Sequence, residues 1–136
     1  MPKPKIKILN KDFAIHKLPP NENLPNEVLR GNYSWIGKTD EELSVVCEAG
    51  INLKSQKSDN NWAAIKLVGP LNFSEVGILS EITAVLAGAS IGIFAFSTYD
   101  TDYILIKKSN VEKAVKALKE NGYVVELDIF NSEFPF

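Results

Sequence analysis

The chain has 136 residues, 45% of them hydrophobic and 24% charged, enough apolar material for one compact domain or two small subdomains sharing a core. A formal charge of −2, with Arg30 as the single arginine, speaks against nucleic acid or an anionic membrane as partner and leaves no set of guanidinium forks for phosphate recognition. The one cysteine, Cys47, has no internal disulfide partner, and no run approaches the ~18 apolar residues of a membrane span. Met1–Lys5 also lacks the apolar core of a secretory signal, so the cytoplasm is the expected compartment.

In chain order, Lys5–Leu9 and Phe13–Leu18 read as strands about an Asn10–Lys11 turn, and Pro25 suits the start of a short helix. Tyr33–Gly37 and Leu43–Cys47 flank the polar stretch Lys38–Glu42, which predicts a second hairpin. Cys47 follows Leu43–Ser44–Val45–Val46 and is expected as an inert core thiol. Glu48–Asn61 is polar, has no amphipathic helical period and reads as a linker. Residues 1–60 are therefore expected to form one incomplete unit.

Trp62–Val68 is a short apolar run stopped by Gly69–Pro70 and predicts a buried strand. Asn72 and Glu75 have a capping-box spacing, and Val76, Leu79, Ile82 and Leu86 recur at helical intervals until Gly88. Ile91–Ser97 and Tyr103–Ile106 flank the polar break Thr98–Asp102, a hairpin. Ser109 and Glu112 suggest a capping box for a helix carrying Val111, Ala114, Val115 and Leu118, with Asn121–Gly122 as its stop and Tyr123–Leu127 as a last strand. Residues 61–136 thus predict an α+β, ferredoxin-like βαββαβ unit, an antiparallel sheet with both helices on one face, followed by a tail. The first half repeats its hairpin pattern in truncated form.

The stretches Lys66–Leu79 and Phe94–Ile106, together with Thr39–Val46, resemble the ACT-domain family. The likeness is to paired ACT units such as those of aspartate-kinase regulatory domains and of the eukaryotic cytosolic arginine sensor. It implies regulatory ACT units that pair side by side, as a homodimer or within one chain, and hold a small ligand, typically an amino acid, at their interface. The loop before the first helix and a neighbouring hairpin would form that site.

On the residues themselves, the candidate site comprises Gly69, Leu71, Asn72, Phe73, Ser74, Val76, Gly77 and Ile78 with Thr98, Tyr99, Asp100, Thr101 and Asp102. A helix start offers unpaired N–H groups and a positive dipole end to a carboxylate, glycines admit a ligand close to the backbone, and Asp100 and Asp102 offer acceptors to an ammonium. Each has a plainer reading: Gly69–Pro70 as a turn, Asn72 as a cap, the two aspartates as a solvated hairpin, Phe94 and Phe96 as packing.

Chemistry of other classes finds no constellation. His16 and Cys47 are the only histidine and cysteine, so no metal set has zinc spacing, and two loop carboxylates fall short of a calcium loop. No nucleophile motif or phosphate loop is present, and no cofactor is implied. Acylphosphatases share the strand order but need an arginine in a backbone nest, and Arg30 lies far from Gly69–Ser74 in sequence. An RNA-recognition pattern is absent from the central strands. The expectation is a non-enzymatic ligand-binding regulator, with a ligand-free homodimerisation or partner-docking module as the alternative.

Overall fold

The computed structural model describes residues 3–68 and 77–127. In chain order the elements are β1 (Ile6–Ile8), β2 (Phe13–Leu18), α1 (Asn26–Arg30), β3 (Ser34–Lys38), β4 (Leu43–Glu48), β5 (Lys57–Leu67), α2 (Ile78–Gly88), β6 (Phe94–Ser97), β7 (Asp102–Lys107), α3 (Val111–Glu120) and β8 (Val125–Leu127). The chain divides into two compact units, Lys11–Trp62 and a second built from Met1–Asn10 with Ala63–Phe136.

Within Lys11–Trp62 the strand order is β3-β4-β2-β5, with every neighbouring pair antiparallel. Alternation along β2 and β4 gives the sheet one apolar face, where Leu18, Leu43, Val45 and Cys47 pack with Val28 of α1 and with Leu24, Ile51 and Leu53. On the opposite face Phe13 meets Tyr33 edge-on and Trp35 at a tilt, both at 5.8 Å between ring centroids. The expected hairpin of β3 and β4 is present, and so is the short helix after Pro25.

The linker expected over Glu48–Asn61 needs correction, because residues 57–61 are strand. Lys57, Ser58 and Asp59 pair with Lys17, His16 and Ile15. These residues are exposed on both faces, so they show no apolar alternation, and an outer strand held by backbone hydrogen bonds needs none. The unit therefore has all four strands of the ferredoxin-like order and lacks its second helix.

The other unit contains the predicted βαββαβ series from β5 through β8, with one addition. The strand order is β6-β7-β5-β1-β8, so β1 lies between β5 and β8. Ile6, Lys7 and Ile8 pair antiparallel with Leu67, Lys66 and Ile65, and parallel with Val125, Glu126 and Leu127. The expected hairpin of residues 5–9 with 13–18 is thus replaced by pairing with partners far along the chain. In this register Ile6 and Ile8 join Ala63, Ile65, Leu67, Ile104 and Ile106 beneath Ile82 and Leu86 of α2 and Ala114, Val115 and Leu118 of α3. Lys5 reaches Glu126 at 3.0 Å, an exposed pair worth little beside that burial.

Both helices of this unit end in the same device. Beyond α3, Tyr123 N–H donates to Leu118 O and Gly122 N–H to Lys119 O, each at 3.0 Å, with Gly122 at φ 86°. Beyond α2, Ile91 N–H donates to Leu86 O at 3.0 Å and Ser90 N–H to Ala87 O at 2.9 Å, with Ser90 at φ 61°. Both are Schellman closures. The stop of α2 is therefore Ser90, and Gly88 is an ordinary helical residue.

The expected Ser109 cap at the start of α3 does not form. α2 begins at Ile78 with Gly77 as its cap, and Asn72 and Glu75 lie outside the described residues. α3 is entered through a single 3-10 turn at Lys108–Asn110, which takes the place of a Ser109 cap. A helix led by a 3-10 turn satisfies its first N–H groups from the backbone and needs no side chain.

Candidate ligand site

The hairpin between β6 and β7 is held at its base by Ser97, whose hydroxyl donates to Asp102 Oδ1, and at its turn by Thr98. Thr98 N–H donates to Thr101 O at 2.8 Å and its hydroxyl to the same oxygen at 3.2 Å. These bonds leave Asp100 exposed and Tyr99 83% exposed, while Thr101 is turned inward and only 8% exposed. Buried polar groups need partners, and the Thr101 hydroxyl donates to the Leu67 carbonyl at the end of β5.

This bond fixes the hairpin tip beside the residue where β5 ends. The chain re-enters the described region at Gly77, whose φ of 90° is a left-handed conformation that glycine adopts without steric cost. Glu81 N–H donates to Gly77 O at 2.8 Å, the first bond of α2, and Ile78 packs half-buried on the core. Of the expected site residues, Thr98, Tyr99, Asp100, Thr101 and Asp102 thus form one turn whose Thr101 is tied to the end of β5. Gly77 and Ile78 form the start of α2. Gly69, Leu71, Asn72, Phe73, Ser74 and Val76 lie outside the described residues.

The two expected aspartates differ in role. Asp102 already accepts from Ser97, which leaves Asp100 as the more open acceptor. Sequence reasoning missed Thr101 as a structural hydroxyl. A threonine between two aspartates reads as turn polarity, and only the tertiary contact with Leu67 reveals its inward aim. On the same strand as Asp102, burial raises the pKa of the Tyr103 phenol.

Clefts lie elsewhere among the described residues. One of about 410 Å³ in the Lys11–Trp62 unit is lined by Leu18, Leu24, Pro25 and Leu53 with Glu22, Asn23, Asn52 and Lys54. Another, about 610 Å³, is a shallower groove between α2 and α3 edged by Lys3, Glu81 and Glu120. Lys3 reaches Glu81 at 3.0 Å and sits 4.3 Å from the centroid of the Tyr123 ring. Among the described residues, no cluster of three or more histidine, cysteine or acidic groups is arranged to hold a metal ion, and no helix is long and apolar enough to cross a membrane.

The sheet order, both helices on one face and the hairpin tied to the end of the first strand of the series agree with a family match: residues 57–120 fit the model of the ACT domain. This stretch is an ACT domain. Residues 11–51 match a separate family model, that of an N-terminal domain. Over 94% of its length the chain is similar to protein Atu0741 of Agobacterium tumefaciens, with 34% identity, a TM-score of 0.85 and 96% of that chain covered. The regulatory subunit of aspartate kinase from Thermus thermophilus shares the fold, with a TM-score of 0.56 at 14% identity over 83% of this chain and 95% of that one. Over 68 residues the chain is 29% identical to the human cytosolic arginine sensor for mTORC1 subunit 1, a match covering 49% of this chain and 21% of that protein. The match thus spans about a fifth of the length of that relative.

Proposed function

We propose that the ACT domain is a regulatory module that binds a small ligand of the amino-acid class, between the connection Gly69–Ile78 and the hairpin Thr98–Asp102. The observation that carries the reading is the Thr101 to Leu67 hydrogen bond, which joins the hairpin tip to the end of β5. The ACT match and the likeness to an aspartate-kinase regulatory subunit and to an arginine sensor support it.

In this reading the start of α2 receives the ligand carboxylate through unpaired N–H groups and the helix dipole, with no arginine needed. Asp100 accepts from the ligand ammonium, with Asp102 behind it held by Ser97. A second ACT-type unit closes the site, so ligand binding strengthens the association of the pair, and the module works without catalysis.

The test is a melting screen against the amino acids. A ligand at a hundred times its Kd stabilises the folded protein by about 2.7 kcal/mol, roughly a 10 °C rise for a chain of this size. Asp100→Ala should abolish that rise while light scattering shows the oligomeric state unchanged. Melting that stays unchanged in every amino acid at millimolar concentration would sink the ligand reading. It would leave the docking role, for which β6, paired with β7 alone among the described strands and preceded by the exposed Ile93, is the place to probe.

A further inference from the structure

His16 plays no part in the proposed ACT site, yet it is the only histidine of the chain and is 7% exposed. Its register opposite Val45 of β4 and Ser58 of β5 puts it on the face of the sheet that carries Leu18, Val45 and Cys47. Nδ1 lies 3.1 Å from the Ser55 hydroxyl, and Nε2 is buried with no protein partner among the described residues.

Ser55 belongs to the segment between β4 and β5. That segment is fixed at one end by Ile51 N–H to Glu48 O, 3.1 Å, and at the other by Gln56 N–H to Lys17 O, 2.8 Å. Between these bonds its side-chain anchors are Ile51 and Leu53 on the core and Ser55 on His16. Asn52, Leu53 and Lys54 of the same segment form one wall of the 410 Å³ cleft.

We propose that the His16–Ser55 contact is a proton-operated latch that holds the adjoining cleft wall, residues 52–54, in place at neutral pH and releases it in acid. A neutral imidazole suits this place, because Nδ1 and the Ser55 hydroxyl satisfy each other whichever of them donates. An imidazolium must donate from both nitrogens, and the protein offers Nε2 no acceptor among the described residues. Among the described residues no carboxylate offsets the charge. On β4 the inward titratable group is Cys47, whose thiol burial keeps protonated. On β2 and β5, Lys17, Lys57 and Asp59 alternate to the opposite face, and on α1 Glu27 and Arg30 are exposed on either side of the inward Val28.

Burial lowers the pKa of His16 below its ordinary value near 6.5. The linkage sign follows: the closed form binds the proton less tightly than the open one, so closure is fully favoured above about pH 6.5 and weakens as pH falls toward the depressed value. Between those two values the opening constant rises by up to about tenfold per pH unit.

The test is amide hydrogen exchange on the whole chain at pH 7.5 and 5.5, corrected for intrinsic rates, with the imidazole Cε1–H titration followed by NMR. The latch predicts a midpoint below 6.5 and several-fold faster exchange over residues 51–56 at pH 5.5, with α3 unchanged. His16→Gln should remove the pH dependence, and Ser55→Ala should loosen the segment at neutral pH while keeping it. An ordinary imidazole midpoint, or equal protection of residues 51–56 at both pH values, overturns the proposal, and so does an undiminished pH response in His16→Gln. The NMR readout on the unaltered chain decides the matter even where a variant fails to fold.

Discussion

The Thr101 hydroxyl ties the tip of the hairpin of the ACT domain to the end of β5. Thr101→Val keeps the shape of the side chain but leaves the Leu67 carbonyl short of a donor in a buried place, at a cost of about 1–2 kcal/mol. The denaturant midpoint should fall accordingly, with the slope unchanged, and Thr101→Ser should recover part of the loss. If Thr101→Val instead melted like the parent chain, the pairing of β7 with β5 and the turn's own bonds would hold the hairpin without this hydroxyl. Cys47 is the opposite kind of residue: fully buried, with its thiol pKa raised by burial first and by the Glu48 charge second. A thiol reagent should label it only as fast as the Lys11–Trp62 unit opens, and immediate labelling of the native chain would contradict its placement.

Elements differ in how openly the sequence declares them. The core face of α3 follows from Val111, Ala114, Val115 and Leu118 alone, since helical spacing is a local property, and those four residues are the buried ones. The polar half of β5 was illegible for the complementary reason, because an edge strand exposed on both faces carries no period to read. Helix ends were legible in part. Asn121–Gly122 stops α3 as composition suggests, whereas Ser90 performs the same left-handed closure without looking like a stop. A non-glycine residue in that conformation is strained by about 1–2 kcal/mol, so Ser90→Gly should raise the melting temperature by a few degrees. Gly77→Ala should do the reverse: a Cβ there would touch nothing within 4 Å, but φ of 90° is strained for any side chain. Lowered stability from Ser90→Gly would mean that its hydroxyl, rather than its backbone, matters.

For the whole molecule the decisive strand is the first. The ferredoxin-like series of the second half was legible because its signals are sequential. The place of β1 was not, because its partners in β5 and β8 are nearly 60 and 120 residues away. The candidate site divides in the same way: its turn and helix start could be found by position, but the inward aim of Thr101 depends on a neighbour more than thirty residues distant. Ile6, Ile8 and Leu9 are buried, and each such side chain contributes about 1.5–3 kcal/mol, a large share of the stability of a small domain. A chain lacking residues 1–10 should therefore lose cooperative melting of the ACT domain. A synthetic peptide of those ten residues should restore it in a concentration-dependent way. Cooperative melting of the shortened chain without the peptide would show that β5 and β8 close on each other directly.

The position of β1 also sets a timetable. On the ribosome β1 is made nearly 120 residues before β8, one of its two partners. While the nearly 120 residues between them are made, that apolar strand has to wait half-paired or be sheltered, and the Lys11–Trp62 unit can complete its own ladders. Closure of the ACT domain is then a late event joining the two ends of the described chain, and long-range pairing of that kind is slow. The newborn chain is most open to aggregation in that interval, and a ligand that favours the closed domain would act first by shortening it.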